Sequence, residues 1–445
     1  AILSPEKLRC SGAARRSALD VTQRPGQAPA MNKLLIAIVV AIVLAFGSVF
    51  AFEGQMASVH WLGELFLRAL KMIIVPLVML SMITGVAGLG DVRKLGRIGG
   101  VTVAYYAVTT FAAVVLGTLL VTFIEPGVGL SHVGLEVPAK VAAKQDIGIT
   151  DIILGFLSNN VFESMANMQM LPLIVFSLVF GGVLSTMGAR GAPLLAVCVA
   201  GNEAMMKMVH LIMWAAPVGI FGLIAGRFGK AVGAGGMDAF FSQLAGVGMY
   251  MVTVLIGLAI HGLIILPAIL WLVGRRRPDQ YAKGVGAALL TAFSTASSAA
   301  TLPMTLEGVE ENNGVDPRAA QLVVPMGATI NMDGTALYEA VAVIFIAQVL
   351  GYDLSFMQQV LVVITATLAA IGAAGIPEAG LVTMVIVLRA VDLPLEGVEL
   401  ILAVDWLLDR FRTTVNVWGD AVGAAVVERV ALGGRAVTAD PEVAK

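Results

Sequence analysis

The sequence has 445 residues, of which 58% are hydrophobic and only 13% are charged, and its mean hydropathy is +0.91. A soluble domain needs far more polar surface, so this composition excludes a soluble globular protein and indicates an integral membrane protein. The net charge of −2 and the scattered basic residues exclude a nucleic-acid-binding protein. The two cysteines, Cys10 and Cys198, have no metal-ligand neighbours and are predicted to be free thiols.

The first thirty residues differ in kind from the rest of the chain. Residues 1–30 contain Pro5, Pro25 and Pro29 and show no apolar periodicity, so they are predicted to be a disordered extension outside the fold. The apolar run 34–52 that follows lacks a small-residue cleavage site. It is therefore predicted to be a retained first transmembrane helix and not a signal peptide.

Six apolar stretches are long enough to span a membrane, which takes about 20 helical residues. They lie near residues 34–52, 65–90, 101–124, 169–188, 208–226 and 243–273. Basic residues in short loops set the orientation, because they favour the cytoplasmic side. Arg93, Lys94 and Arg97 follow the second stretch and residues 275–277 follow the sixth, while 53–63 has none. The N-terminus is predicted to be cytoplasmic. Two later apolar helices, 320–350 and 398–430, bring the total to eight full crossings, so the C-terminus is predicted to be cytoplasmic too.

Two later apolar segments are interrupted. Segment 284–305 is broken by Ser, Thr and Pro at 297–303, and segment 356–390 is broken by Gly and Pro at 372–377. Each precedes another long apolar helix, which indicates two matching units. Interrupted segments at corresponding positions of two repeats point to a transporter's binding site near the bilayer midplane. The alternative is that Gly and Pro only kink ordinary spanning helices.

The last apolar helix, 398–430, carries charges that would be costly against lipid. At about 100° per residue, one stripe of this helix holds Asp405, Asp409, Arg412, Asn416 and Asp420, with Thr413 at its edge. A guanidinium binds a carboxylate in a bidentate manner and a carboxylate binds an ammonium group, so the stripe predicts a site for a zwitterion with an acidic side chain. The alternative is a structural ion-pair ladder between Asp409 and Arg412. Arg410 points away from the stripe and needs another partner.

The preceding helix, 320–350, carries a second polar motif. Asn331, Asp333 and Thr335 supply oxygen ligands where Gly334 loosens the backbone, so the helix is expected to unwind there and bind an alkali cation. Glu339 is a further buried carboxylate. Two roles stay open for it, namely an ion pair with Arg410 or the carriage of a proton.

These motifs carry a specific resemblance. Ser297-Ser298, Thr301-Leu302-Pro303, the motif from Asn331 to Thr335, Gly375-Ile376-Pro377 and the series from Asp405 to Asp420 are similar to those of the dicarboxylate/amino acid:cation symporter family. Within that family the chain resembles the excitatory amino acid transporters for glutamate and aspartate. The resemblance implies an all-α membrane protein with eight transmembrane helices, two re-entrant helical hairpins and inverted repeats. It also implies transport of the elevator type.

The resemblance also assigns residues to the substrate. It places the side-chain carboxylate at Arg412 and Thr335 and the amino group at Asp409. The remaining implied substrate residues are Ser297, Ser298, Thr413 and Asn416.

Three sodium sites follow from the same resemblance. The first uses Gly327, Asn331, Asn416 and Asp420; the second uses Thr329, Ala370, Ile371 and Ala373; the third uses Tyr106, Thr109, Thr110, Asn331 and Asp333. Sodium is thus the coupled ion. Glu339 and Arg410 are the residues implied for proton co-transport and potassium counter-transport, as in the animal type. Glu378 departs from the family pattern, so the resemblance does not say how this residue affects gating at the second hairpin.

The implied organisation is a homotrimer in the plasma (inner) membrane, with the lipid bilayer and an acidic amino acid as partners. Residues 31–430 form the transporter. The immobile scaffold would comprise roughly residues 31–100 and 150–235. The mobile transport unit would comprise roughly residues 101–125 and 240–430, and residues 431–445 would form a cytoplasmic tail.

Rival functions differ in what they require. An ion channel needs a continuous polar pore, whereas the charges here concentrate in the last helices and the interrupted segments. An enzyme is disfavoured because the sequence has no nucleophile–base motif, HExxH motif or phosphate-binding loop. A neutral amino acid exchanger of the same family would replace Arg412, and a C4-dicarboxylate symporter would not need Asp409. The residues do not distinguish glutamate from aspartate.

Overall fold

The computed structural model describes residues 27–88, 96–130, 149–371 and 379–433, and in these ranges the chain forms helices and no strand. The helices of the first half are α1 (Gln27–Phe52), α2 (His60–Gly88), α3 (Gly96–Ile124), α4 (Ile149–Gly155), α5 (Val161–Ala166), α6 (Met170–Thr186), α7 (Ala192–Met213), α8 (Ala216–Ile260) and α9 (Leu266–Leu272). Those of the second half are α10 (Pro278–Gly284), α11 (Gly286–Thr295), α12 (Ser298–Glu307), α13 (Pro317–Ile330), α14 (Asp333–Val349), α15 (Phe356–Ala370), α16 (Ala379–Ala390) and α17 (Val398–Leu432).

Five helical stretches of the described residues are long and apolar enough to cross a membrane: Ile36–Ala87, Gly96–Ile124, Ala192–Met213, Ala216–Leu272 and Pro317–Val349. The first and fourth contain 52 and 57 residues, more than twice the length of about 20 residues that one crossing needs. The fourth changes direction at Gly236, whose φ of 65° suits glycine. These observations confirm an all-helical membrane protein.

Several predicted bounds need adjustment. The first helix begins at Gln27 and so includes the last four residues of the predicted extension 1–30. The predicted stretch 208–226 lies across the junction between α7 and α8, where the helix is interrupted at Trp214–Ala215. The apolar character of the stretch continues through this junction, which is why hydropathy did not reveal it. Cys198 is a buried free thiol, whereas Cys10 lies outside the described residues.

The first interrupted segment forms a pair of short helices, α11 and α12, that pack against each other. The break lies at Ala296, which adopts a left-handed conformation with φ of 50°, and at Ser297, whose side chain accepts a hydrogen bond from the Ala300 N–H and caps α12. Pro303, predicted to belong to the break, lies inside α12. The capping serine therefore determines where the second helix starts.

The second interrupted segment forms α15 and α16, which also pack against each other. The predicted break at 372–377, with Glu378, lies outside the described residues. A third break separates α13 from α14, where Asn331 and Met332 leave the helical conformation. This is the predicted unwinding around the Asn331–Thr335 motif.

The helices form two sets of contacts. In the first, α2 packs against α6, α7 and α8, and α8 also packs against α1. Glycines allow α8 to approach α2 closely, because a Cβ at Gly222 would lie 2.7 Å from the Gly63 nitrogen and one at Gly226 would lie 2.7 Å from the His60 Cα. In the second set, α17 packs against α3, α11, α13 and α14, and α14 packs against α3, α15 and α16. The second half of α8 contacts this set as well.

Ion pairs join the two sets at the start of α17. His60 Nε2 on α2 lies 3.0 Å from both carboxylate oxygens of Glu399, and Lys71 Nζ lies 3.2 Å from Glu396 Oε1. Glu399 also attracts the guanidinium of Arg227 on α8, which is only 1% exposed. The Glu399 carboxylate therefore contacts His60 of one neighbouring helix and attracts the buried guanidinium of another.

Replacing Glu399 by Gln should destabilise the fold, since it leaves the buried Arg227 charge without its carboxylate. Loss of the hydrogen bond to His60 and of this nearby negative charge costs on the order of 1–3 kcal/mol. The measurement is the thermal unfolding temperature of the purified protein in detergent. Glu64→Gln is the matched control, because Glu64 pairs with Arg68 at the surface, where both side chains are more than half exposed. Equal unfolding temperatures for the two variants would contradict this role of Glu399.

Candidate functional site

Arg412 is the centre of a buried polar cluster on α17. The side chain is 0% exposed, its Nη2 donates to Asp409 Oδ1 at 2.8 Å, and its Nη1 lies 3.2 Å from Asp405 Oδ1. The guanidinium also stacks on the Tyr338 ring, 3.8 Å from the ring centroid. Among the described residues the Arg412 Nε has no hydrogen-bond partner. A fully buried guanidinium therefore retains a donor that could bind a ligand.

Two glycines make room for this guanidinium and its helix. A Cβ at Gly380 on α16 would lie 2.6 Å from Arg412 Nη1, and one at Gly334 on α14 would lie 2.6 Å from the Arg412 carbonyl oxygen. Only glycine fits at such distances. The backbones of α14 and α16 consequently lie directly against Arg412.

Asn416 connects α17 to the unwound region. Its Nδ2 donates to Thr335 Oγ1 at 3.1 Å, and its Oδ1 accepts from the Gly334 N–H at 2.8 Å. The N–H of Gly334, near the start of α14, has no partner within the helix, so the amide replaces the missing bond. Asn416, Thr335 and Thr413 are all buried beside Arg412.

The Asp333 carboxylate accepts hydrogen bonds from several helices. Thr110 Oγ1 donates to Asp333 Oδ1 at 2.7 Å, Thr109 Oγ1 lies 3.3 Å from the same atom, and His261 Nε2 lies 3.0 Å from Asp333 Oδ2. Thr109 is also 3.3 Å from Asn331 Oδ1. The structure thus brings four of the five residues of the predicted third sodium site into contact. The fifth, Tyr106, lies nearby on α3 and donates to the Val323 carbonyl at 2.5 Å.

Asp420 is a second buried carboxylate in the same region. Asn331 Nδ2 donates to Asp420 Oδ1 at 3.0 Å, and Gly327 lies so close that a Cβ there would overlap the carboxylate. Among the described residues Asp420 has no ion-pair partner, so an ionised Asp420 would need a bound cation. Asn331, Gly327 and Asp420 lie together as the first predicted sodium site requires, with Asn416 one turn of α17 away.

The second predicted sodium site is less complete. Thr329 is exposed and donates to the Met326 carbonyl of its own helix at 3.1 Å. Ala370 is buried at the end of α15, and Ile371 packs at the edge of an apolar cluster that includes Ile330. Ala373 lies outside the described residues.

Among the described residues, Glu339 and Arg410 form no ion pair with each other; such a pair was one of the two roles left open for Glu339. Glu339 is fully buried and accepts a hydrogen bond from Thr383 of α16. Arg410 Nη1 donates instead to the carbonyls of Phe293 and Ser294, at 2.8 and 2.7 Å, near the break between α11 and α12. Phe411 stacks edge-on against Phe293 and holds α17 at this point.

Ser297 and Ser298 are buried at that same break, only 4% exposed each. Ser297 serves as the cap of α12, and the N–H groups of the first turn of α12 lie beside it. Helix N-termini attract carboxylates, so this end of α12 suits an anion.

Several residues of the cluster were not predicted from the sequence. Tyr338 supports the Arg412 guanidinium, His261 contacts Asp333, and Thr383 contacts Glu339. His261 had a signal in the sequence, because an ionisable residue in an apolar helix is a functional candidate. In the structure it begins a π-helical turn, His261–Ile265. Tyr338 and Thr383 had no such signal, since both residue types are common in membrane helices.

Comparison with known proteins places this cluster in context. The family model of the sodium:dicarboxylate symporter family matches residues 31–430. The chain belongs to that family. It is 44% identical to excitatory amino acid transporter 3 of Homo sapiens, over 83% of this chain and 78% of that protein. It is 41% identical to excitatory amino acid transporter 1 of Ambystoma tigrinum, over 89% of this chain and 82% of that protein, and 41% identical to an excitatory amino acid transporter of Caenorhabditis elegans. Membership in the sodium:dicarboxylate symporter family makes the protein a membrane transporter and not an enzyme.

Replacing Gly380 by Ala should displace the Arg412 guanidinium from its ion pair with Asp405, because the new methyl group would need the space of Nη1. Overpacking of this kind costs about 1–3 kcal/mol and should lower the thermal unfolding temperature. Gly286→Ala is the control, since a Cβ at that helical position meets nothing within 4 Å. If the two variants unfold at the same temperature, Gly380 is not held against Arg412.

Proposed function

We propose that this protein is a sodium-coupled secondary symporter of acidic amino acids, L-glutamate and L-aspartate. The buried Arg412 guanidinium carries the proposal, because it combines a free donor with a neighbouring carboxylate at Asp409. An acidic amino acid presents the complementary groups, a side-chain carboxylate and an ammonium group. The names of the relatives, excitatory amino acid transporters, support the same substrate class.

In this proposal each buried polar group binds one part of the substrate. Arg412 and Thr335 bind the side-chain carboxylate, and Asp409 binds the ammonium group. Ser297 and Ser298, at the N-terminus of α12, bind the α-carboxylate. Thr413 and Asn416 complete the polar wall.

Sodium would bind where carboxylate and carbonyl oxygens converge without a compensating cation. One such site would consist of Asp420, Asn331, Gly327 and Asn416. Another would consist of Asp333, Thr109, Thr110, Asn331 and Tyr106. A site of Thr329 with the carbonyls of Ala370, Ile371 and Ala373 is the third proposal. Oxygen donors of this kind suit a hard cation, and bound sodium would supply the positive charge that the two aspartates lack.

The mechanism proposed is alternating access by an elevator movement. The contacts of α2 with α6, α7 and the first half of α8 support a scaffold at roughly 31–100 and 150–235. The contacts of α17 with α3, α11, α13 and α14 support a transport unit at roughly 101–125 and 240–430. The two pairs of short helices would be re-entrant hairpins, and the second would be the extracellular gate. We further propose that the protein forms a homotrimer in the plasma (inner) membrane. Both termini would lie in the cytoplasm, where residues 431–445 would form the tail.

Proton co-transport and potassium counter-transport are the further coupling steps that we propose. Glu339 is buried within the field of Arg412 and would carry the proton. With the proton released, its charge would help to bind potassium during the return of the empty carrier. Arg410 would act from α17, where it donates to two backbone carbonyls of the first hairpin.

Uptake into liposomes tests the function directly. The purified protein is reconstituted, and radiolabelled glutamate, aspartate, serine and succinate are offered while sodium, proton and potassium gradients are imposed one at a time. Sodium-driven uptake of glutamate or aspartate is expected. Preference for serine would indicate a neutral amino acid exchanger, preference for succinate a C4-dicarboxylate symporter, and current without uptake a channel; each would overturn the proposal.

Replacing Arg412 by Cys should abolish uptake of glutamate and aspartate while allowing small neutral amino acids such as serine. The reason is that Arg412 is the basic side chain inside the cluster, and its loss leaves a substrate carboxylate unpaired. One charge-assisted pair of this kind contributes about 2–5 kcal/mol to binding, which corresponds to at least a thirtyfold loss of affinity. Uptake of glutamate at wild-type affinity by this variant would refute the assigned role.

Replacing Asp420 by Asn should raise the sodium concentration needed for half-maximal uptake. The change keeps the shape of the side chain and removes the negative charge that compensates a bound cation. Glu64→Gln is the control, because it removes an exposed carboxylate far along the chain from the cluster. Sodium-independent uptake by the unmodified protein, or an unchanged sodium requirement in Asp420→Asn, would contradict the sodium site.

A further inference from the structure

The helix that runs from α8 into α9 changes its hydrogen-bonding pattern beside the buried polar cluster. The Leu266 N–H donates to the His261 carbonyl five residues earlier, which makes a π-helical turn that begins at His261. A carbonyl in an α- or π-helix accepts from the residue four or five positions later. For Gly262 these residues are Leu266, which is already engaged, and Pro267, which has no N–H. The Gly262 carbonyl is therefore left without a donor from its own helix.

Trp418 of α17 supplies the missing donor from outside the helix. Its indole Nε1 donates to the Gly262 carbonyl at 3.0 Å, and the side chain is only 6% exposed. The two helices lie close together here, because a Cβ at Gly262 would lie 3.3 Å from Val415 Cγ2 of α17. A buried indole N–H is a donor only and needs an acceptor of this kind. Trp418 therefore stabilises the backbone of the π turn at the residue that follows His261.

This turn determines where the ring of His261 lies. The side chain is fully buried, and its Nε2 lies 3.0 Å from Asp333 Oδ2. An ionised carboxylate only accepts hydrogen bonds, so Nε2 carries the hydrogen and donates it to Asp333. The other ring nitrogen, Nδ1, has no hydrogen-bond partner among the described residues. Within that part of the chain no second hydrogen bond holds the ring, so the backbone turn decides its position.

The Asp333 carboxylate is held at both oxygens. Thr110 and Thr109 of α3 contact Oδ1, and His261 at the end of α8 contacts Oδ2. Two different helices thus fix the plane of this carboxylate. Each carboxylate oxygen has two lone pairs, and the hydrogen bond from His261 occupies one lone pair of Oδ2. The other lone pair then has a set direction in which a cation can bind.

We propose that His261 and Trp418 are positioning residues of the sodium site at Asp333. This inference rests on the proposed function, in which Asp333 is a sodium ligand. Trp418 holds the π turn, the turn places His261, and the His261 N–H fixes the carboxylate in the orientation that receives sodium. Both side chains act through Asp333. Groups that hydrogen-bond to a metal's ligands contribute about 10–100-fold to metal affinity.

Three variants of the full-length protein separate the two N–H groups from the bulk of their side chains. His261→Met removes the ring N–H, whereas His261→Gln retains a donor at a similar distance from the backbone. Trp418→Phe removes the indole N–H and keeps an aromatic ring, and this milder change carries the test if His261→Met does not fold. His210→Met and Trp271→Phe are the matched controls, because His210 contacts a carbonyl of its own helix and Trp271 is 65% exposed on α9.

Sodium binding is measured without transport, from the thermal unfolding temperature in detergent as sodium replaces choline at constant ionic strength. The half-saturating sodium concentration should rise about tenfold in His261→Met. It should rise in the same direction, but less, in Trp418→Phe, which acts one contact further from Asp333. His261→Gln should return it towards the wild-type value, and the two controls should leave it unchanged.

A second measurement separates positioning from a general loss of stability. In an Asp333→Asn background the carboxylate that His261 orients is absent, so His261→Met should cause no further change in the sodium concentration. An equal effect of His261→Met with and without Asp333 would overturn the inference. So would a wild-type protein that sodium does not stabilise, or an unchanged sodium concentration in both His261→Met and Trp418→Phe. A change in His261→Met alone would refute the role of Trp418.

Uptake of radiolabelled glutamate and aspartate into liposomes distinguishes failure of this inference from failure of the proposed function. If the sodium concentration changes as expected but the wild-type protein takes up no acidic amino acid, the proposed function fails and the positioning role stands. If sodium drives uptake with the same concentration dependence in the wild type, His261→Met and Trp418→Phe, the positioning role fails and the proposed function stands.

Discussion

A cation buried in an apolar helix bundle is the constraint on which the central part of this protein depends. Arg412 has no access to solvent, and moving a bare charge into such surroundings costs far more than one contact returns. Asp405, Asp409 and the Tyr338 ring supply the compensation. These partners lie on α17 and α14, so compensating the charge holds the two helices together. Positions 334 and 380 are glycines because side chains at these positions would occupy the space of Arg412.

The same region holds more negative than positive charge. Asp333, Asp420 and Glu339 are fully or almost fully buried, and Arg412 is already engaged by two other carboxylates. Threonines, Asn331 and His261 donate hydrogen bonds to these groups but do not remove the imbalance. A protein with this arrangement is stabilised by small cations, which is the physical basis for coupling an ion gradient to a solute. In the proposed function, sodium at Asp333 and Asp420 and a proton on Glu339 would answer this imbalance at different carboxylates.

Contacts between the two sets of helices include ion pairs as well as apolar packing. Within the first set, glycines of α8 approach α2 at backbone distance, which allows the two helices to pack closely. Between the sets, the start of α17 is joined to α2 by the pairs His60–Glu399 and Lys71–Glu396. Ion pairs can exchange water or other partners as surfaces slide, whereas interlocked glycine contacts cannot. In the proposed elevator mechanism, these ion pairs would be the contacts that break and re-form.

The amino-acid sequence by itself determined the membrane class, most helix positions, the unwinding at Asn331 and the polar stripe of α17, because hydropathy and helical periodicity are local properties. The contact of Asp409 with Arg412, which are three residues apart, was the alternative interpretation of this stripe, a structural ion-pair ladder. The tertiary structure decided the partners that come from distant segments. Thr383 lies 44 residues from Glu339, and His261 lies 72 residues from Asp333. The tertiary structure also places Arg410 away from Glu339. Helical spacing predicts which face of α17 carries a charge, but it does not identify the helix that packs against that face. Hydropathy missed the junction between α7 and α8 for a related reason: a bend between two apolar helices changes packing without changing composition.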